Sequence, residues 1–256
     1  MPCRRPGAQR RTRPGPPLWF AIIAALLILT GSRSTMAEEL LEFIQRDTGS
    51  NPRFAVIWLH GLGADGHDFE PIVPELGLST PVRFIFPHAP MQPVTVNGGM
   101  VMRAWYDIKA ADIDAEVDTA GINQSAAHLR RLIQATVDSG IPAERIILAG
   151  FSQGGVIALH TGLLHEEGFA GIIALSTYVA IPDAIERSSA RANRDVPIFM
   201  AHGRFDPIIP FSLAEQSRDF LLDQGYPVQW HGYPMEHSVH PDEIHQLAEW
   251  LGNIID

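Results

Sequence analysis

Residues 150–155 read Gly-Phe-Ser-Gln-Gly-Gly, and they fall between an apolar run, 145–149, and a helical pattern over 153–164. A serine between glycines at a strand-to-helix turn suits a nucleophile. The glycines leave room for a very sharp turn, and the strained backbone lifts the hydroxyl clear of the sheet. The helix that follows presents its positive end to the same place. The competing role for Ser152 is a plain helix N-cap, and Gly-x-Ser-x-Gly alone is common by chance. The flanking strand and helix patterns favour the nucleophile.

A serine hydroxyl needs a base to take its proton, and the base needs an orienting carboxylate. Around a turn of this kind the chain order is Ser, then Asp or Glu, then His. Eleven histidines compete for the role. His60, His67, His88 and His128 precede the serine. His160 and His165 lie on or near the end of the following helix. His202 closes a strand, where a structural hydrogen bond is its expected part. His231 lies within a strand and His245 within the last helix. His237 and His240 remain, both between the last strand and the last helix. His240 precedes Pro241, a natural first helical residue, and so belongs to the helix entry; His237 is the expected base. Asp206 follows the end of the strand at 197–201 and lies between Ser152 and His237 in the chain. Asp195 stands at the wrong end of that strand, and Asp219 and Asp223 lie on a helix.

Acyl transfer also needs two backbone N–H groups aimed at the oxygen that becomes negative. One belongs to the residue after the nucleophile, Gln153. The other belongs to a loop after an early strand, and His60-Gly61-Leu62-Gly63 supplies it through Leu62. An ordinary glycine turn would account for that tetrapeptide if it stood alone. The histidines are dispersed and no His-Glu-x-x-His occurs, so no metal site is expected, nor any cofactor.

The elements that must hold these groups alternate. Strand patterns at 54–60, 82–86, 145–149, 171–175, 197–201 and 228–233 are separated by helical ones at 120–139, 153–164, 211–224 and 241–251, with a long irregular stretch at 87–119. Several strands are continuously apolar, which predicts a mostly parallel sheet with helices on both faces. In such sheets chemistry gathers at the carboxyl ends of the strands, where Ser152 lies. The connections after Leu175 and Ala201 are too short for a cap domain.

The chain of 256 residues divides into an Arg-rich, apolar segment, 1–37, and one α/β domain, 38–256. Residues 1–36 carry six arginines and no acid, which leaves 13 basic residues against 29 acidic ones in the body, a formal charge of −16. Such a body repels nucleic acid and anionic surfaces at long range. The single cysteine, Cys3, rules out an intramolecular disulfide. The apolar run at 18–29 is the length of a signal-peptide core, short of a spanning helix. Met36 as translation start is the rival reading. If the N-terminal segment is a signal or anchor, the protein is exported or membrane-anchored; if translation starts at Met36, it is cytoplasmic. N-terminal sequencing of protein from the native host separates them: the Arg-rich residues intact, a start at Met36 or Ala37, or a start at Glu38.

Together, His60-Gly61-Leu62-Gly63-Ala64-Asp65, Pro93-Val94-Thr95-Val96-Asn97-Gly98-Gly99, Trp105-Tyr106-Asp107, the turn at 150–155 and the run from His202-Gly203 to Asp206 resemble the carboxylesterase/acyl-protein thioesterase family of α/β-hydrolases. The likeness runs from about 39 to 251. It implies an α/β-hydrolase fold, Ser152, Asp206 and His237 as catalytic triad, and Leu62 and Gln153 as oxyanion donors. It implies a substrate pocket lined from 87–107, with Trp105 as a wall and Asn97 and Leu62 beside the substrate. The substrate is a small-molecule ester or acylated molecule, with carboxylic esters of short or single chains expected first and thioesters or lysophospholipids as alternatives. A binding protein on the same scaffold would normally lack a triad member, and none is missing; a homodimer is allowed. The chain departs from the family at Glu236, where glycine is usual before the histidine and where strain or added charge beside the base is expected.

Overall fold

The computed structural model describes residues 1–3, 40–110, 116–188 and 190–255. Apart from its first three residues, the N-terminal segment read as signal, anchor or mis-called start lies outside the described residues. The described residues form nine strands: β1 (Phe43–Asp47), β2 (Phe54–Leu59), β3 (Val82–Pro87), β4 (Met91–Val94), β5 (Met100–Arg103), β6 (Ile146–Phe151), β7 (Gly171–Leu175), β8 (Ile198–Gly203) and β9 (Val228–Tyr233). Seven of them form one sheet in the order β1-β3-β2-β6-β7-β8-β9. Every pairing in it is parallel except that of β1 with β3.

The strands are apolar on both faces because both faces are covered. On one side, Ile57, Leu148, Ile172 and Met200 pack with Ile122 and Leu129 of α2 (Thr119–Asp138), Val156 and Leu159 of α3 (Gln153–Leu163), and Ala214 and Leu221 of α5 (Phe211–Asp223). On the other, Val56, Ile147, Ile173 and Phe199 pack with Ile72 of α1 (Ile72–Glu75) and with Leu247, Trp250 and Leu251 of α6 (Pro241–Ile255). Neighbouring residues of one strand enter opposite cores, as the two-residue period of a strand requires. Among the described residues, the connection from β7 to β8 holds only the five-residue α4 (Pro182–Glu186), so no cap covers the strand ends there.

The alternating elements thus stand where the sequence places them, to within a few residues at their ends. The irregular stretch is where the structure adds most. It contains the antiparallel hairpin β4–β5, closed by a 3-10 turn at Thr95–Asn97. Four-residue strands, one with Pro93 inside it, leave too short a period to read. The edge strand β1 and the single turn α1 were likewise too brief. Among the described residues no helix is long and apolar enough to cross a membrane.

His240 caps α6, as its place before Pro241 implies: Ile244 N–H donates to its carbonyl. Glu243 answers from the third helical position, its Oε2 accepting from His240 N–H at 3.1 Å. This is half of a capping box. Glu243 is completely buried, and its Oε1 has no partner. Burial pushes this carboxyl up to about 7, against the smaller opposing effect of the His240 N–H. Its folded pKa exceeds its unfolded value, so the folded state holds the proton more tightly. Stability is therefore full below about pH 4.5 and falls as pH rises through 7. Glu243→Gln keeps the acceptor and removes the titration. The variant is expected to gain about 3 kcal/mol relative to the parent between pH 5 and pH 8, measured by urea unfolding at both values.

Candidate active site

Ser152, Asp206 and His237 stand past the carboxyl ends of β6, β8 and β9, three strands that lie close together in the sheet. The loop 60–63 follows β2, the neighbour of β6. Residues far apart in the chain therefore meet at one end of the sheet, as parallel strands dictate.

The turn at Ser152 is as sharp as its sequence suggests. Ser152 has φ 55° and ψ −120°, a region that costs a non-glycine residue about 1–3 kcal/mol. Its side chain makes no capping bond to α3, which removes the plain N-cap role. The turn is held by the backbone instead. Ser152 N–H donates to the Leu175 carbonyl at 2.9 Å, and the Thr177 hydroxyl donates to the Ser152 carbonyl at 2.8 Å. A Cβ on Gly154 would lie 2.3 Å from the Leu59 carbonyl oxygen and 2.6 Å from that of His60, so only glycine fits. Ser152 is 8% exposed, open to the surface through a narrow approach.

Asp206 and His237 are bonded, Nδ1 to Oδ2 at 2.6 Å. A carboxylate can only accept here, so Nδ1 carries the proton and Nε2 is left as the basic nitrogen. The other carboxylate oxygen, Oδ1, accepts from Ile208 N–H at 2.8 Å and Ile209 N–H at 2.9 Å. His202, fully buried, reaches Oδ2 with its Nε2 at 3.3 Å and the Ile209 carbonyl at 2.9 Å. Both partners are acceptors, so Nε2 of His202 bears the proton. Burial opposes the charge on Asp206, but the bonds from His202, His237 and Ile209 outweigh it and hold the carboxyl well below its usual range. The aspartate is fixed as an anion. The His237 ring lies 4.8 Å from the Phe151 ring, centroid to centroid, which seats it beside the turn.

The loop at 60–63 packs on the same turn: a Cβ on Gly61 would stand 3.5 Å from the Ser152 Cβ. Gly63 N–H donates to the Arg103 carbonyl of β5 at 2.9 Å, so Leu62 is held between the turn and the hairpin. Asn97 is exposed at the hairpin end, its amide nitrogen 3.4 Å from Met102 Sδ. Trp105 is 1% exposed, and its indole N–H donates to the His60 carbonyl at 2.8 Å. Its placement gives it a hold on the 60–63 loop in addition to any face toward a substrate. Glu236 is exposed and shows no strain: among the described residues, positive φ outside glycine occurs only at Asn51, Ser152 and Ser176. Glutamate fits that position without a backbone penalty.

Sequence reasoning missed three contributors. The Gln153 side chain, credited only with its backbone N–H, bonds to Trp105 and Tyr106. His60 and Thr177 are buried polar residues with defined partners in the same region. A cavity of about 560 Å³ opens beside His237, with Phe69, Ile72, Phe151, Val239 and Ile244 among its walls. No cluster of His, Cys, Asp and Glu suited to a metal ion occurs among the described residues.

Residues 42–255 match the phospholipase/carboxylesterase family model. Acyl-protein thioesterase 1 of Neurospora crassa is 42% identical over 207 residues, covering 77% of this chain and 84% of the relative. The protein of the same name from Yarrowia lipolytica is 42% identical over 203 residues, covering 77% and 89%. Among solved structures, acyl-protein thioesterase 2 of Zea mays superposes with a TM-score of 0.73 at 26% identity, covering 84% of this chain and all of the other.

The closeness of Gly154 to two strand carbonyls generates an expectation. Gly154→Ala forces backbone apart from backbone, since neither contact is a flexible side chain. It is expected to cost about 3 kcal/mol or more, read as a lowered midpoint in urea unfolding.

Proposed function

Since the chain belongs to the phospholipase/carboxylesterase family of α/β-hydrolases, we propose that it is a serine hydrolase of acyl thioesters, with Ser152, His237 and Asp206 as its triad. One observation carries the reading. Ser152 sits in a strained turn with its hydroxyl uncommitted to a cap, and the ring of the residue before it, Phe151, lies 4.8 Å from that of a histidine whose Nδ1–H is spent on an ionised aspartate. In the first half-reaction His237 Nε2 takes the Ser152 proton as Oγ forms a bond to the acyl carbon. The tetrahedral oxyanion is met by the N–H groups of Leu62 and Gln153. Collapse breaks the bond to the leaving group, which departs with the proton from His237. Water then repeats the sequence on the acyl-enzyme, and the free acid and Ser152 are restored.

Carboxylic esters of short chain were the first expectation from sequence. The relatives of 42% identity are named acyl-protein thioesterases, and this favours the thioester, which the same chemistry accommodates. The cavity beside His237 supports room for the leaving group, because that group receives its proton from this histidine. Its walls are mostly apolar, with Asp68 and Glu75 also among them, and suit the flank of a side chain or a lipid segment that carries a polar or basic group. Esters remain the second reading, since the family description includes carboxylesterases. No bound cofactor enters any step.

A fluorophosphonate probe is expected to label the protein once, and Ser152→Ala is expected to abolish labelling and lower turnover by about 10⁴-fold or more. Labelling undiminished in Ser152→Ala would overturn the triad. Thioesters and oxoesters of matched acyl length, assayed side by side, are expected to differ in kcat/KM by about tenfold in favour of the thioester, about 1.4 kcal/mol in barrier. The opposite order would return the protein to the carboxylesterase reading.

A further inference from the structure

The two N–H groups assigned above to the oxyanion belong to separate segments. Leu62 lies in the loop after β2, and Gln153 opens α3. A hole made of two such donors works only if their separation is fixed to within about 0.5 Å. The strand pairing of β2 with β6 sets the distance coarsely, but both groups lie beyond the last paired residues, Leu59 and Gly150. Something past the sheet has to complete the constraint.

We propose that Gln153 and Trp105 are positioning residues that lock the two oxyanion donors together through a buried hydrogen-bonded clamp. The inference rests on the serine-hydrolase reading above. Gln153 Oε1 accepts from Trp105 N–H at 2.8 Å, and Gln153 Nε2 donates to the Tyr106 carbonyl at 2.6 Å. One side-chain amide thus bonds two consecutive residues much as a neighbouring strand would. From there the Trp105 indole N–H donates to the His60 carbonyl at 2.8 Å. That carbonyl belongs to the peptide joining His60 to Gly61, one residue before Leu62. The path therefore runs from the residue that carries one donor to the peptide next to the other.

Further bonds hold the clamp's far ends. His60 Nδ1 faces the Gly61 carbonyl at 2.7 Å, so it carries the proton, and Nε2 accepts from Ala89 N–H at 3.0 Å. Burial lowers the His60 pKa to about 4, so the ring stays neutral and Nε2 remains an acceptor at neutral pH. The rings of His60 and Trp105 lie 5.3 Å apart. The Ser125 hydroxyl donates to the Trp105 carbonyl. Five segments, around residues 60, 89, 105, 125 and 153, are joined in this way.

Packing alone does not account for an amide here. Gln153 is 2% exposed, and burying an amide is costly unless its bonds are made. A methionine would fill a similar volume with no such cost. The amide bonds are what glutamine adds, and both are directed at the segment that holds the 60–63 loop.

The test uses the full chain and two variants, Gln153→Met and Trp105→Phe. Each is expected to lower kcat by about 30-fold, with KM within about twofold, because a donor misplaced by about 1 Å costs up to 100-fold in rate. A boronic acid inhibitor, whose tetrahedral adduct places an oxygen in the hole, is expected to lose affinity by the same factor as kcat/KM. The double variant is expected to be no worse than about threefold below the poorer single, since both break one path. The proposal is overturned if kcat holds while KM changes, if boronate affinity is unmoved, or if the two effects multiply. Should Gln153→Met fail to fold, Trp105→Phe decides by itself: it removes the indole N–H together with part of the ring, and a matched loss of boronate affinity and kcat/KM, with KM held, separates a displaced donor from the void left behind. Unchanged labelling of Ser152→Ala by the fluorophosphonate would instead defeat the hydrolase reading, whatever the clamp variants do.

Discussion

The constraint on which the site depends is the close approach of the start of α3 to the end of β2. With no side chain on Gly154, the first turn of the helix rests directly against the carbonyls of Leu59 and His60. That contact brings the 60–63 loop onto the turn at Ser152 and leaves Ser152 no relaxed backbone conformation to adopt. Strain of this size persists only where the surroundings over-determine it. Here they do so through the bonds of Ser152 to Leu175, the last residue of β7, and to Thr177 just beyond it. The turn is thus fixed from β2 and from β7 at once.

Asp206 is held by a comparable surplus of partners. Its carboxylate meets two backbone N–H groups and two histidines. Several donors overcome a burial that would otherwise favour the neutral acid, so the charge that orients His237 persists across the neutral range. His202 and His237 approach the same oxygen, Oδ2, yet differ in their other nitrogen. Nδ1 of His202 is buried and has no partner, whereas the His237 side chain retains partial exposure. One carboxylate therefore holds one fully buried histidine and one partly exposed histidine, and the exposed one is the base proposed above.

How much could be read from the sequence follows from how local each signal is. The turn at Ser152 was legible because strand, glycines and helix are consecutive. Asp206 and His237 were legible because parallel strands send their carboxyl ends to one place, which turns chain order into geometry. The β4–β5 hairpin was not, since Pro93 and four-residue strands give no readable alternation. Nor was β1, an edge strand exposed along most of its length, with no apolar face to mark it. The strain expected at Glu236 was inferred from the usual glycine, but that backbone has no positive φ that would need one.

The Gln153 side chain was the least legible of all, and its case separates two kinds of residue in one motif. Its backbone N–H, the oxyanion donor proposed above, would come with any residue at that place. Its side chain acts through partners 47 and 48 residues away, and nothing near it in sequence announces them. Trp105 was expected as a pocket wall only through the family resemblance. The backbone groups of Trp105 and Tyr106 and the indole N–H are bonded within the protein. A buried polar side chain has to be matched by a partner or its desolvation is uncompensated. In this fold the match ties the start of α3 to the residues that hold the 60–63 loop, so satisfying one amide also joins two segments that lie beyond the last strand pairing.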